Sequence, residues 1–390
     1  MMEEKRKNTM ILYRNLRYQQ LFDDMCSLLK PEEGEARPDA YACASQLIDL
    51  AVTYGFRGNL WHCFLAFCMA NNENAYSTSC EIIGPVGGSL SELARHDFAQ
   101  VRELFSLDIA RLDETENGIW SEMKHYENAL ENSKAFNHRI RDRIVELSVS
   151  LENAESDQEF QDIVTEFYKE FGVGKFGLNK AFHIIMDDEA KQVDIEPITR
   201  VEHIELSDLV GYELQKAKLI ENTEAFIEGR AANNCLLFGD SGTGKSSSIK
   251  AILNQYYDRG LRMIEVYKHQ FRGLSDVLEQ IKDRNYKFII YMDDLSFEEY
   301  ELEYKYLKAI IEGGLGIKPQ NVLIYATSNR RHLIKETWKD REDMEHSEDL
   351  HRSDTMEEKL SLVNRFGLSI YYAKPNKEGF NEMAVALARR

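Results

Sequence analysis

Residues 239–246 read Gly239-Asp240-Ser241-Gly242-Thr243-Gly244-Lys245-Ser246. That spacing of glycines, a lysine and a hydroxyl suits the gripping of a phosphate chain. Glycines let successive backbone N–H groups turn inward around an anion. A helix beginning near Lys245 adds its positive end. Lys245 then reaches the β- and γ-phosphates, Ser246 supplies a hydroxyl to Mg²⁺, and Ser247 follows in the first turn. The plainer alternative is a Gly/Ser turn joining a strand to a helix. A second segment bears on that choice. Phe288-Ile289-Ile290-Tyr291-Met292 is an apolar strand running into Asp293 and Asp294. Asp293 is placed to hold the metal. Asp294 is placed to polarise a water, with Glu298 as the other candidate base. A third strand, Asn321 to Ala326, ends in Thr327-Ser328-Asn329. An amide at that edge suits a γ-phosphate or a water; taken alone, it reads equally well as a turn.

These residues need a frame. From Leu206 onward, strands alternate with helices, which predicts a parallel sheet covered on both faces, with its ligand at the carboxyl edge. The expected strands are Cys235–Phe238, Arg262–Val266, Phe288–Met292, Val322–Ala326 and Leu368–Tyr372. Before residue 200 the periodicity is helical. Helices are expected over Asn8–Leu29 and Tyr41–Tyr54. Another starts at Ser89, as N-cap with Glu92 as its capping-box partner. One or two charge-laced helices are expected over 115–155, and one over Asp157–Phe171. Leu60–Ala70 is too short to cross a bilayer and reads as a buried helix. Gly172-Val173-Gly174-Lys175-Phe176-Gly177 lacks the phosphate-loop spacing and reads as a turn. Asp187–Arg200 reads as an extended linker. The expected organisation is an acidic helical domain over 1–190, a linker over 191–205, an α/β domain with a five-stranded parallel sheet over 206–373, and the start of a lid over 374–390.

The four elements at Gly239–Ser246, Asp293-Asp294, Thr327-Ser328-Asn329 and Asn364-Arg365-Phe366 together resemble the AAA+ ATPase superfamily. The resemblance implies Walker A roles for Lys245 and Ser246, Walker B roles for Asp293 and Asp294, and a sensor role for Asn329. It implies that Arg365 is a finger reaching a neighbouring subunit's nucleotide. Val210-Gly211-Tyr212-Glu213 matches the adenine-pocket segment. Further stretches narrow the likeness. They are Gly58-Asn59-Leu60-Trp61, Asp293-Asp294-Leu295-Ser296-Phe297-Glu298, Glu312-Gly313-Gly314, Ala326 to Leu333, and Arg365-Phe366-Gly367-Leu368. They are similar to a bacterial ATP-binding family catalogued as a domain of unknown function. The match is dense over 200–372 and patchy over 58–105. It implies ATP, Mg²⁺ and a cytoplasmic setting. The chain departs from the superfamily after the last strand, where a full helical lid is expected and only 373–390 remain.

Composition limits the partners. The formal net charge is -19; residues 1–200 hold 35 acidic and 21 basic side chains. Nucleic acid is therefore disfavoured as a partner for the N-terminal half, since phosphate contacts need clustered Lys and Arg. Arg330, Arg331, Lys335 and the Lys268-His269 turn are the basic groups a DNA-associated ATPase of the helicase-loader kind would use. None of the six cysteines forms a C-x-x-C pair, and no His cluster has zinc spacing. His346 and His351 fall in a charged stretch read as a solvated loop. The start lacks an apolar signal segment, so an intracellular, non-membrane protein is expected. The leading functional reading is an Mg-ATP-dependent switch or remodelling ATPase, homo-oligomeric through Arg365. An unknown protein partner would be held by the helical domain. The competing readings are a nucleotide-binding regulator or scaffold with little turnover, and the DNA-associated ATPase.

Overall fold

The computed structural model describes residues 9–31, 36–113, 118–129, 138–187, 192–199, 201–297, 301, 303–312, 319–329 and 362–388. The chain divides into two compact units, Met1–Asn179 and Lys180–Arg390.

The first unit is helical: α1 (Gln19–Leu29), α2 (Ala40–Tyr54), α3 (Leu60–Asn71), α4 (Ala75–Ile83), α5 (Ser89–Phe105), α6 (Ile119–Lys124), α7 (His138–Glu152), α8 (Asp157–Phe171) and the short α9 (Gly174–Leu178). Its centre is α3. Residues Leu60 to Ala70, His62 apart, are apolar, and all of them are buried, as a helix with no polar face must be. Asn59 starts it by accepting from the N–H groups of Trp61 and His62, and the Trp61 indole donates to the Leu104 carbonyl at 3.1 Å. The aromatic hydroxyls inside are paired. Tyr13 and Tyr168 lie 2.9 Å apart, and Tyr168 donates to the Met69 carbonyl.

Three local expectations change. The helix read from Asn8 begins only at Gln19. The stretch before it is held instead by Asp97, buried on α5, whose carboxylate accepts from the N–H groups of Ile11, Leu12 and Tyr13. Ser89 is the first residue of α5, with Gly88 as its N-cap and no side-chain cap bond. The glycine-rich stretch after Phe171 forms the turn of helix α9 rather than an open turn, because Phe176 and Leu178 are drawn into the core.

The second unit is a seven-stranded sheet: β1 (Ala181–Asp187), β2 (Gln192–Pro197), β3 (Cys235–Gly239), β4 (Leu261–Glu265), β5 (Lys287–Met292), β6 (Val322–Ser328) and β7 (Leu368–Tyr372), in the order β2-β1-β4-β5-β6-β3-β7. Helices α10 (Glu213–Ile227), α11 (Lys245–Tyr256), α12 (Leu274–Ile281), α13 (Glu303–Glu312) and α14 (Lys377–Ala388) accompany it. The five expected strands are present and mutually parallel. The segment read as the end of the helical domain and a linker is instead a hairpin. β1 pairs parallel with β4, and β2 pairs antiparallel with β1. Phe182, Ile184, Val193 and Ile195 are buried, so the hairpin covers the edge β4 would otherwise expose. The charges around Asp187 hid this alternation.

Strand β3 lies between β6 and β7, yet the chain leaves it for β4 on the far side of β5 and β6. The switch in direction opens a crevice at the carboxyl ends of the strands. Behind it, Leu237, Ile249, Ile252, Tyr325 and Tyr372 form the buried core. Among the described residues, no helix is long and apolar enough to cross a membrane.

Replacing Asp97 by alanine strips three backbone N–H groups of their acceptor. Each such loss costs about 1–3 kcal/mol when buried. Because only the Tyr13 N–H among them is fully buried, Asp97→Ala is expected to lower unfolding free energy by about 1–3 kcal/mol in urea denaturation of the full chain; an unmoved midpoint refutes the anchoring role.

Candidate functional site

The loop between β3 and α11 leaves the sheet through Gly239. Its φ is 135°, and a Cβ there would lie 2.1 Å from the Tyr372 carbonyl oxygen. Only glycine allows β3 and β7 to stay this close. Gly242 and Gly244 also take positive φ, 76° and 84°. A Cβ built at either meets nothing within 4 Å, so these two backbones border open space, as a cradle for phosphate requires. Thr243 closes the loop on itself by donating to the Asp240 carbonyl at 2.8 Å. Ser241 is exposed, and Ser247 sits half-buried in the first turn of α11.

Lys245 is the first residue of α11 and is buried. Its ammonium donates to the carbonyls of Gly239 (3.1 Å) and Asp240 (2.6 Å) and to Asn329 Oδ1 (3.0 Å). Three donors meet three acceptors. Burial lowers the Lys245 pKa, while Asp294, Asp240 and Asp293 pull it the other way.

The acidic side of the site hangs on the end of β6. Ser246 donates to Asp293 Oδ1 at 2.7 Å, and Thr327 donates to the same oxygen at 2.6 Å. Thr327 Oγ1 also accepts from the Asp294 N–H, and the Thr327 carbonyl accepts from Leu295. Burial alone would raise the Asp293 pKa. Hydrogen bonds from Thr327, first, and Ser246 lead the groups that outweigh it and hold the carboxyl below its usual range. Asp294 has φ 48°, a strained conformation for a residue other than glycine. Thr327 and Asn329 hold it there; the Asn329 amide donates to Asp294 Oδ1 at 2.8 Å. Asn329 thus touches both Lys245 and Asp294.

The residues present fit a triphosphate with magnesium. The glycine cradle is open, and the donors beside it, Ser246 and Asp293, are hard oxygens of the kind Mg²⁺ takes.

The strand read as ending the α/β domain also joins the site. The Tyr372 carbonyl accepts from the Asp240 N–H, and the Asp240 carboxylate accepts from the Lys374 N–H. Tyr212 packs on Tyr372 and donates to the Ala373 carbonyl. A Cβ at Gly211 would meet the Met383 methyl at 2.4 Å, so α14 lies against the Val210–Tyr212 segment. Arg365 is not brought to this cluster. It precedes β7, at the amino edge of the sheet, about 16 Å from the loop by strand length. Glu298, Arg330, Arg331, Lys335, His346 and His351 lie outside the described residues.

Sequence reasoning assigned no role to Thr327. Its signal was present: a hydroxyl two residues before Asn329 at the tip of a buried strand. Asp240's tie to Lys374 had no sequence signal, since it depends on β3 and β7 being neighbours.

The family described as "Protein of unknown function (DUF815)" matches residues 179–390. Among solved structures the chain is similar to that of DnaI, at 19% identity and TM-score 0.33, over 52% of this chain and 98% of that one. It is similar to a point variant of RuvB from Thermotoga maritima, at 16% identity and TM-score 0.33, over 48% of this chain and 55% of that one. A third likeness is to the ORC1 protein of Aeropyrum pernix in complex with DNA, at 14% identity and TM-score 0.34, over 46% and 50%. The chain spans about half the length of the RuvB and ORC1 chains. No protein of curated function matches it.

Thr327→Val keeps the shape and removes the donor to Asp293. A hydrogen bond to a charged group is worth about 1.5–3 kcal/mol, or about tenfold or more in affinity. The Mg²⁺ concentration giving half-maximal ATP binding is expected to rise about tenfold in a fluorescent-nucleotide titration. An unchanged Mg²⁺ requirement would remove Thr327 from the metal site.

Proposed function

We propose, starting from the fact that the chain belongs to the DUF815 family, that it is an Mg-ATP-binding AAA+-type ATPase. It works as a switch or remodelling motor on a protein partner. The observation that carries this reading is the Asn329 amide, bonded at once to Lys245 and to Asp294. A phosphate that draws the Lys245 ammonium toward itself must loosen that amide, and the amide in turn releases Asp294.

The roles follow from the contacts. Backbone N–H groups of residues 241–244 and the start of α11 bind phosphate oxygens. Lys245 trades its backbone carbonyls for those oxygens. Ser246 and Asp293 hold Mg²⁺, which when bound neutralises charge on the β- and γ-phosphates. Asp294, or Glu298, accepts a proton from the attacking water, and Asn329 orients it. Val210, Gly211 and Tyr212 flank the nucleobase, with α14 beside them. Because Arg365 sits at the opposite edge of its own sheet, it serves a neighbouring copy's nucleotide in trans. The helical unit offers exposed apolar side chains along α2, at Tyr41, Ile48 and Val52, and this supports its role in holding the partner. Its expected setting is cytoplasmic.

The regulator with little turnover stays as a second reading on one observation. Asp294 is a short carboxylate in a strained backbone and already accepts from Asn329. DNA is disfavoured further by Lys268, whose ammonium is held by Glu301 at 2.8 Å.

Lys245→Ala is expected to weaken ATP binding at least about 100-fold, the order of two to three charge-assisted bonds. Unchanged affinity sinks the assignment. Steady-state phosphate release should rise more than linearly with protein concentration, and Arg365→Ala should abolish that dependence. No release at any concentration would favour the regulator.

A further inference from the structure

Tyr291 stands two residues before Asp293, so the period of the strand brings both side chains to one face. It is 2% exposed, and its hydroxyl has no hydrogen-bond partner among the described residues. A buried hydroxyl left unmade costs stability, and phenylalanine would pack the same volume without that cost. The position of the hydroxyl gives it a use. The alternation of β5 sets it on the face of Asp293, whose Oδ1 accepts from Ser246 at 2.7 Å, yet it makes no hydrogen bond of ordinary geometry to either. Glu265, its register partner on β4, and Tyr267 border the same strand ends. A phenol keeps its proton at physiological pH, and the group can donate one hydrogen bond while accepting another.

We propose that Tyr291 is a positioning residue of the magnesium shell, its hydroxyl completed by a water that the ion carries when Ser246 and Asp293 hold it. This inference rests on the Mg-ATP reading above. Mg²⁺ gives up its waters reluctantly and is commonly held by one or two protein oxygens, the rest of its shell staying hydrated. A neutral phenol is a weak direct ligand, but it is a good acceptor for a metal-polarised water. The acidic groups around it, Asp293 and Glu265, favour the same hydrated cation. Outer partners of this kind tune metal affinity by orienting the inner ligands.

The test is Tyr291→Phe in the full chain, with fluorescent ATP-analogue affinity measured across a Mg²⁺ titration and again in excess EDTA. The half-saturating Mg²⁺ concentration is expected to rise about three- to tenfold, the worth of one hydrogen bond. Affinity in EDTA should be unchanged, and the melting temperature without metal or nucleotide should be no lower than wild type. A Mg²⁺ midpoint within about twofold of wild type overturns the proposal, since one hydrogen bond is worth more than that. So does an equal loss in EDTA, which would make Tyr291 a support of the loop. If wild type itself binds no ATP with Mg²⁺ present, the Mg-ATP reading falls, and this inference with it.

Discussion

The ammonium of Lys245 is the charge around which the second unit's site is arranged. It is buried at the start of α11 and spends its three donors on two loop carbonyls and one side-chain amide. A buried cation without partners would be costly. The loop supplies them from its own backbone, so the cation is satisfied before any anion arrives. Phosphate binding is then an exchange of partners rather than the filling of a deficit. The exchange reaches Asn329 and through it Asp294. A single amide therefore joins the Lys245 ammonium to the carboxylate of Asp294.

Thr327 holds the acidic half together. Its hydroxyl bonds Asp293 and the Asp294 backbone, and its carbonyl takes the next N–H. These bonds over-determine the strained backbone of Asp294, the usual condition for strain to persist in a folded protein. The same strand end, β6, carries Asn329. One buried strand tip thus fixes Asp293, Asp294 and Asn329 relative to one another. Gly239 does the corresponding work on the other side, where only a missing side chain lets the loop run against the Tyr372 carbonyl.

The parts of the fold legible beforehand were those with a local cause. Apolar runs bounded by turn residues located β3 to β7 within a residue or two. The apolar Leu60–Ala70 run announced a buried helix. The misreadings share a physical origin, since tertiary contacts overrode local pattern. The β1–β2 hairpin carries charges at its tip, and it becomes a strand pair because β4 needs a neighbour. Residues 9–18 look helical by spacing but are held in another conformation by Asp97, more than eighty positions away. Gly174–Leu178 closes a helical turn because its two large side chains are pulled inward.

Lys245, Ser246, Asp293, Asp294 and Asn329 were legible as a chemical set because their types and spacing follow from what a phosphate chain and a hard cation require. That much is a property of the order of residues along the chain. Which of them touch, and which stand apart, was settled only by the order of strands in the sheet. Placing β3 between β6 and β7 brings Asn329 to Lys245 and Asp240 to Lys374, and leaves Arg365 at the opposite edge. Hydrogen bonds act over about 3 Å, and no spacing rule in a sequence can specify a neighbour at that range across more than eighty residues of chain.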